Sequence, residues 1–570
     1  MNQSKPANNN RLNDLAIGAA LFLLTAAFVL WQNTRVAVLW DLSYLLDTSW
    51  RIALGQVPYR EFPLVHPPLT FLIQALLMRV FGRHYLIQIL YAALSGGAGS
   101  VLCWRILHRI LGQESPHVRW NAFLLVAPLI LLGIYSIYPH PIYDCDCALA
   151  ILFAIVLLQR FAASQTLTAA VAAGVAVVLP VFFKQNMGLP FLMVVIAGLL
   201  LLWTLNLRSL ERRQLNRPLI RLLGTIAVTG MTAVLLLHFT VGLGNYLHWT
   251  IQFAAQRRLP GLADMLAIYR QPSLLWSLPA LAAGLLLLVS KWGKNLWAQI
   301  LASLLLAAPF LAVVSFLFMN DDADERADSL LALWPHLLIV AALLPLFELR
   351  KGVSLPRLLP FFVLAAIHGT FMSQQLWGST YAIWPLLMLL VAQMLAMIPQ
   401  SHAKLAPALA LLASVTLLVS GGSYAVSLER LNYLHIPVDE PMTRATLPAL
   451  QGMASRGPSI ANFEELTAFV TRQIPADEGL LLLPGEDPFY FATGRTPQFP
   501  VLLFDPATDP YSPAALLAEA RRRGIRWVIV KTQLQSTDNP LPQPAEVMEL
   551  VDKEFRLCQK LAGYDVYQRR

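Results

Sequence analysis

The residues with the most chemical capability lie between Asp41 and Pro68, directly after the first apolar stretch. They are two carboxylates, Asp41 and Asp47, then Arg51, and then the run from Gly55 through Pro58, Tyr59 and His66 to Pro67 and Pro68. A carboxylate held beside water can take the proton of an attacking hydroxyl, which is general-base chemistry. Projected at about 100° per residue, Asp41, Ser43, Tyr44, Asp47, Thr48 and Arg51 share one arc, with Leu42, Leu45, Leu46, Ile52 and Ala53 opposite. The pattern predicts an amphipathic helix lying on a membrane surface, ended by Gly55 and followed by extended, proline-forced chain. Both carboxylates then face water. The plainer reading is an interfacial helix in which Asp47 pairs with Arg51 at i,i+4 and Asp41 caps the start.

Further groups follow. Tyr138-Pro-His140-Pro-Ile-Tyr-Asp144-Cys-Asp146-Cys147 is a second acidic cluster. Asp144 and Asp146, with His140 and Cys145, have the donor types of a divalent-metal site; the alternative is a helix start whose acids favour the dipole. Lys184 ends an apolar stretch. An ionisable group at that depth is a functional candidate and, as a point charge, suits a phosphate, unless it snorkels to the interface. Arg257 and Arg258 are the next phosphate candidates, against a solvated surface pair. His368, Gln374, Gln375, Ser379 and Tyr381 gather polar groups at a membrane edge, for sugar or phosphate contacts or for hydrogen bonds between helices.

The order of the first cluster, an Asp at the end of the first span, then G-x-x-P-Y-R-x-F, then H-P-P, resembles the first outer loop of GT-C membrane glycosyltransferases. These include the protein O-mannosyltransferases and the lipid A aminoarabinose transferases. The resemblance covers under a tenth of the chain. Bacterial relatives often place an acidic pair where Asp41 stands; here Leu42 takes the second place and Asp47 is the nearest substitute. The resemblance implies that Asp41 is the general base, with Asp47, Arg51, Tyr59 and His66 supporting it or the acceptor. It also gives the acids of the second outer loop a role in metal binding or acceptor orientation. The expected reaction is inverting transfer of a hexosyl or pentosyl group from a polyprenyl-phosphate carrier to a glycan, lipid or protein acceptor. The competing functions are a lipid-linked saccharide flippase, for which paired halves with broken helices are expected, and a glycan ligase or polymerase.

The elements that must position these groups follow from composition. With 57% hydrophobic and 13% charged residues, and a mean hydropathy of +0.57, a soluble globular class is excluded. The net charge of +9 does not point to nucleic acid, because the arginines sit in short loops between apolar spans, the positive-inside pattern. The four cysteines give no disulfide framework.

The fold class expected is mostly α: a polytopic membrane protein with roughly 13 transmembrane helices and a small C-terminal α/β domain. Residues 1–12 read as a disordered cytoplasmic tail, 13–425 as the membrane domain with its first outer loop at 41–83, and 426–570 as a periplasmic domain. Leu15 to Trp31 is a retained anchor and Pro67 to Phe81 an interfacial or re-entrant helix. The second span is His84 to Ile106. Basic loops, including Arg208, Arg212, Arg213, Arg350 and Lys351, lie inside, and the acidic Asp321 to Asp328 loop outside. This is the topology of a bacterial inner-membrane protein. In the last domain the spacing predicts helices at 462–473 and 513–523 and strands at 480–483, 525–531 and 564–568. It has no phosphate-binding glycine loop, so acceptor recognition or stability is its expected part.

Overall fold

The structure, a computed structural model, describes residues 6–112, 118–207, 216–258, 260–319, 334–372, 382–398, 404–427, 431, 434–437, 439–505, 508–536 and 544–570. Arg208, Arg212, Arg213, the Asp321 to Asp328 loop, Gln374, Gln375, Ser379 and Tyr381 lie outside these residues, as does the side chain of Arg258.

Helix α1 (Pro6–Asn33) leads into α2 (Leu39–Ala53), α3 (Leu69–Phe81) and α4 (Tyr85–Ile110). Next come α5 (Val118–Val126), α6 (Leu129–Leu132), α7 (Tyr143–Ser164), α8 (Leu167–Val178), α9 (Pro180–Phe183), α10 (Gln185–Leu207) and α11 (Asn216–Thr240). Short turns α12 (Leu243–Leu247), α13 (Ala254–Arg258) and α14 (Leu262–Met265) precede α15 (Leu274–Val289) and α16 (Leu296–Met319). The series closes with α17 (Trp334–Leu349), α18 (Leu355–Thr370), α19 (Trp384–Ala396) and α20 (Leu405–Val426).

Among the described residues seven helices are long and apolar enough to cross a membrane, and seven further apolar segments are shorter. The expected first and second spans, Leu15 to Trp31 and His84 to Ile106, fall on α1 and α4. Helix α3 covers the stretch expected to form an interfacial or re-entrant helix. Its 13 residues reach only about 20 Å, short of a bilayer core. It buries Phe71, Gln74, Ala75 and Met78 and exposes Leu72, Leu76, Val80 and Phe81. Two of the shorter apolar segments are broken, the first after Val126 and the second between Val178 and Pro180, where a proline removes a backbone donor.

The carboxy-terminal part contains β1 (Met442–Arg444), β2 (Ala454–Arg456), α21 (Ser459–Gln473), β3 (Gly479–Leu483), α22 (Phe489–Thr493), α23 (Pro513–Arg522), β4 (Ile525–Lys531), α24 (Ala545–Glu554), β5 (Phe555–Leu561) and β6 (Tyr564–Arg569). The main sheet has the order β3-β4-β6-β5, parallel between β3 and β4 and antiparallel elsewhere. All five expected elements are present; β1, β2, α22, α24 and β5 are additional. Alternate residues serve opposite faces. Leu481, Leu483, Val528 and Val530 pack with α23 and α24, whereas Leu480, Leu482 and Ile529 pack with α21 and, in the same cluster, with Leu39, Leu42 and Leu46 of α2. One apolar core therefore runs from the sheet into α2.

That core corrects the expected surface helix. Ten of the fifteen residues of α2 are buried, among them Ser43, Asp47, Thr48 and Arg51. Ser43, Asp47 and Arg51 of the polar arc do not face water, because the carboxy-terminal domain covers them. Gly55, at φ +99°, closes the helix as expected.

Candidate active site

Asp41 stands in the first turn of α2. It is not the cap. That position belongs to Val38, whose side chain makes no capping bond. The Asp41 side chain is half-buried, and the hydroxyl of Tyr138, in the segment between α6 and α7, donates to its Oδ2 at 2.8 Å. One turn along the same helix Tyr44 hydrogen-bonds His66 Nδ1 at 2.9 Å. His66 stacks on Tyr143 with ring centroids 3.9 Å apart. The Tyr143 ring lies 5.3 Å from Lys184 Nζ, and Lys184 is ion-paired with Asp144, both buried. Helix α2, the segment that follows it, the start of α7 and the break between α9 and α10 thus meet in one continuous line of contacts.

Tyr59 holds this line rather than joining it. With φ at 65°, rare for a bulky residue, it buries its ring and donates its hydroxyl to the His66 carbonyl at 2.7 Å. Arg257 is exposed, its guanidinium 5.3 Å from the Phe253 ring, and it acts electrostatically on Asp509 of the carboxy-terminal domain. Burial still pushes the Asp509 carboxyl up to about 6. His368 is placed elsewhere, bonded to Tyr269 and to the Leu364 carbonyl.

The expected Asp47–Arg51 surface pair is also corrected. Asp47 accepts the backbone amides of Tyr490 at 3.1 Å and Phe491 at 2.7 Å, at the start of α22. Burial pushes its carboxyl up to about 8, against the pull of those two amides. Arg51 donates to the carbonyls of Pro500 at 2.6 Å and Phe499 at 3.3 Å and to Gln56, and lies 4.0 Å from the Phe62 ring. Burial lowers it to about 9. Both residues dock the carboxy-terminal domain.

The second acidic cluster does not fit a metal. Asp146 is saturated by hydroxyls, from Tyr91 and Tyr135 on Oδ1 and Thr70 on Oδ2, all within 2.7 Å. Asp144 faces a lysine. His140 uses Nε2 to accept the Val38 amide at 3.4 Å and Nδ1 to bond the Tyr85 hydroxyl at 2.9 Å. Among the described residues no group of three or more His, Cys, Asp or Glu is arranged to hold a metal ion.

Sequence reasoning missed Thr70, Tyr91 and Tyr135 around Asp146. It also missed Gly485, Glu486 and Gln535, which tie the carboxy-terminal domain to α2. Nothing local marks them, since their partners are remote in sequence.

No family model and no curated protein matches the chain. Among solved structures it is similar to ArnT from Cupriavidus metallidurans bound to undecaprenyl phosphate, at 12% identity over 98% of each chain, with a TM-score of 0.42. It is similar to the oligosaccharyltransferase AglB from Archaeoglobus fulgidus, in complex with an inhibitory peptide and a dolichol-phosphate, at 12% identity over 97% of this chain and 74% of that one, with a TM-score of 0.47. The arabinosyltransferase EmbB from Mycobacterium smegmatis is similar at 18% identity over 75% of this chain and 42% of its own, with a TM-score of 0.31. All three are GT-C membrane glycosyltransferases. At these identities and scores the likenesses carry no argument, so the functional reading rests on the chain's own residues.

Proposed function

We propose that this chain transfers a sugar from a polyprenyl-phosphate carrier to an acceptor hydroxyl on the non-cytoplasmic face of a membrane. Asp41 is the base. The acceptor oxygen bonds to the anomeric carbon as the bond from that carbon to the carrier phosphate breaks, inverting the centre. Asp41 takes the hydroxyl proton and polyprenyl phosphate leaves with the bonding electrons. The Tyr138 hydroxyl donates to Oδ2 of Asp41 and fixes the orientation of the carboxylate. Lys184 is the cation for the departing phosphate. Because it is paired with Asp144, the phosphate meets a dipole rather than a bare charge, and Arg257 supplies the exposed positive group. Since the acids do not fit a metal, no step is routed through one.

The observation that carries this reading is the line of contacts from Tyr44, one turn after Asp41 on α2, through His66 and Tyr143 to the buried Lys184, which brings the helix of the candidate base to a buried cation. In orientation, the amino-terminus lies in the cytoplasm and the carboxy-terminal domain in the periplasm of a bacterial inner membrane.

The test uses purified protein, undecaprenyl-phosphate-linked glucose, mannose, galactose and arabinose as donors and an alkyl glycoside as the hydroxyl acceptor, with acceptor-dependent release of undecaprenyl phosphate as readout. Asp41→Asn keeps the size of the side chain and cannot take a proton. Turnover should fall at least ~10²-fold, with undecaprenyl phosphate still bound. Normal turnover by Asp41→Asn would remove the base assignment.

A further inference from the structure

We infer that the carboxy-terminal domain belongs to the catalytic apparatus, because Gln535 supplies the amino-terminal cap that α2 lacks and so positions Asp41. This rests on the reading of Asp41 as the base.

A helix start leaves backbone amides without partners, and they are ordinarily met by a Ser, Thr, Asp or Asn just before the helix. Val38 stands there and has nothing to offer. Its own amide is taken by His140 Nε2. The Leu39 amide, the first of the helix proper, donates to Gln535 Oε1 at 2.9 Å. The same side chain donates through Nε2 to the Ala37 carbonyl at 2.9 Å and to Ser455 Oγ at 3.2 Å. An amide that faces an N–H with its oxygen and a carbonyl with its nitrogen has only one satisfactory orientation. Gln535 thus grips the backbone on both sides of Val38, two residues ahead of Asp41.

The grip is rigid. Gln535 is buried. Its amide and that of Ser536 donate to the two oxygens of Glu486 at 3.0 and 2.8 Å. Glu486 is buried and paired with Lys531 at 2.6 Å, and Lys531 also pairs with Asp487 at 2.7 Å. The Gln535 carbonyl accepts the His435 amide at 2.6 Å. Further along α2, Ser43 donates to the Gly485 carbonyl at 2.5 Å, and Asp47 meets the first amides of α22. Each partner therefore caps a helix of the other: Gln535 the start of α2, Asp47 the start of α22.

A general base must be held within about 0.5 Å of its productive place, and a misplacement of about 1 Å costs on the order of 10²-fold. If Gln535 merely fastens the domain, its loss lowers stability and leaves folded molecules with normal turnover. If it positions Asp41, Gln535→Ala should lower kcat at least ~10-fold with KM for the best of the four sugar donors changed less than about threefold. Bound undecaprenyl phosphate counts the folded molecules. Hydrogen exchange should rise at residues 38–42 and hold at residues 45–53, which Asp47 and Arg51 still anchor.

Val38→Thr, close in shape to valine, gives α2 a cap of its own, and in the Gln535→Ala background it should restore part of the lost kcat. Should the alanine variant not fold, Gln535→Glu keeps the acceptor for Leu39 and loses the donor to Ala37, and it should show a smaller fall in kcat. Normal kcat in the Gln535 variants, with Asp41→Asn inactive, overturns this inference alone. Normal turnover by Asp41→Asn overturns the underlying reading of the base.

Discussion

Asp47 shows how far a residue's partner decides its role. On the projected helix it is one of two water-facing acids, and Asp47→Asn there loses only an exposed pair. In the folded chain its two oxygens receive the Tyr490 and Phe491 amides. Asparagine can accept one of them and must point its own N–H groups at the other. Asp47→Asn should therefore destabilise the docked domain by about 1–3 kcal/mol, seen as a lower melting temperature of the purified protein. The acid also sets a pH dependence. Because burial holds Asp47 up to about 8, its contribution is complete below about pH 4 and is lost as pH rises through about 8. Melting temperature should fall across that window, and the slope should flatten in Asp47→Asn.

Lys184 and Asp144 are a buried pair, so removing one partner leaves an uncompensated charge. Lys184→Met should cost about 3–5 kcal/mol. The double change Lys184→Met with Asp144→Leu should recover much of that stability, and release of undecaprenyl phosphate should not return. Full turnover in the double variant would end the phosphate role of Lys184.

At the scale of elements, the turn after β3 matters most. It carries Glu486 and Asp487, and its Gly485 carbonyl receives Ser43 of α2. Gly485 has φ +83°, and a Cβ there would lie 1.8 Å from the Leu502 carbonyl oxygen. Both strain and collision exclude any side chain, so Gly485→Ala must displace the turn and with it the contact to α2. Loss of melting cooperativity, or of bound undecaprenyl phosphate, is the expected outcome. A variant that melts and turns over as the parent does would show that the turn does not hold α2. The same turn holds Asp487. It is buried, bonded by Lys531 and Tyr564, and burial raises its carboxyl above the usual range.

For the whole molecule, the proposed orientation places every exposed site of the carboxy-terminal domain on the outer side. Cys558 is the natural reporter, since it is exposed while Cys103, Cys145 and Cys147 are buried. An impermeant maleimide added outside should modify it in intact cells. In a Cys558→Ser background, cysteines at Gln473 should react and those at Gln165 or Lys351 should not; reaction at Lys351 from outside would invert the topology. The sequence by itself determined the apolar helical segments, the short helix α3 and five elements of the last domain. Those depend on hydropathy and periodicity, which are properties of contiguous residues. It also singled out Asp41, His66, Lys184 and the second acidic cluster by type and position. The tertiary structure alone decided what covers the polar arc of α2. It gave Asp47 and Arg51 to the carboxy-terminal domain, filled Asp146 with three hydroxyls and paired Lys184 with Asp144. An amphipathic pattern records that a face is polar and carries no information on which polar groups will meet it. Here those groups come from as far as 449 residues away, the separation between Arg51 and Pro500, and only folding brings them together.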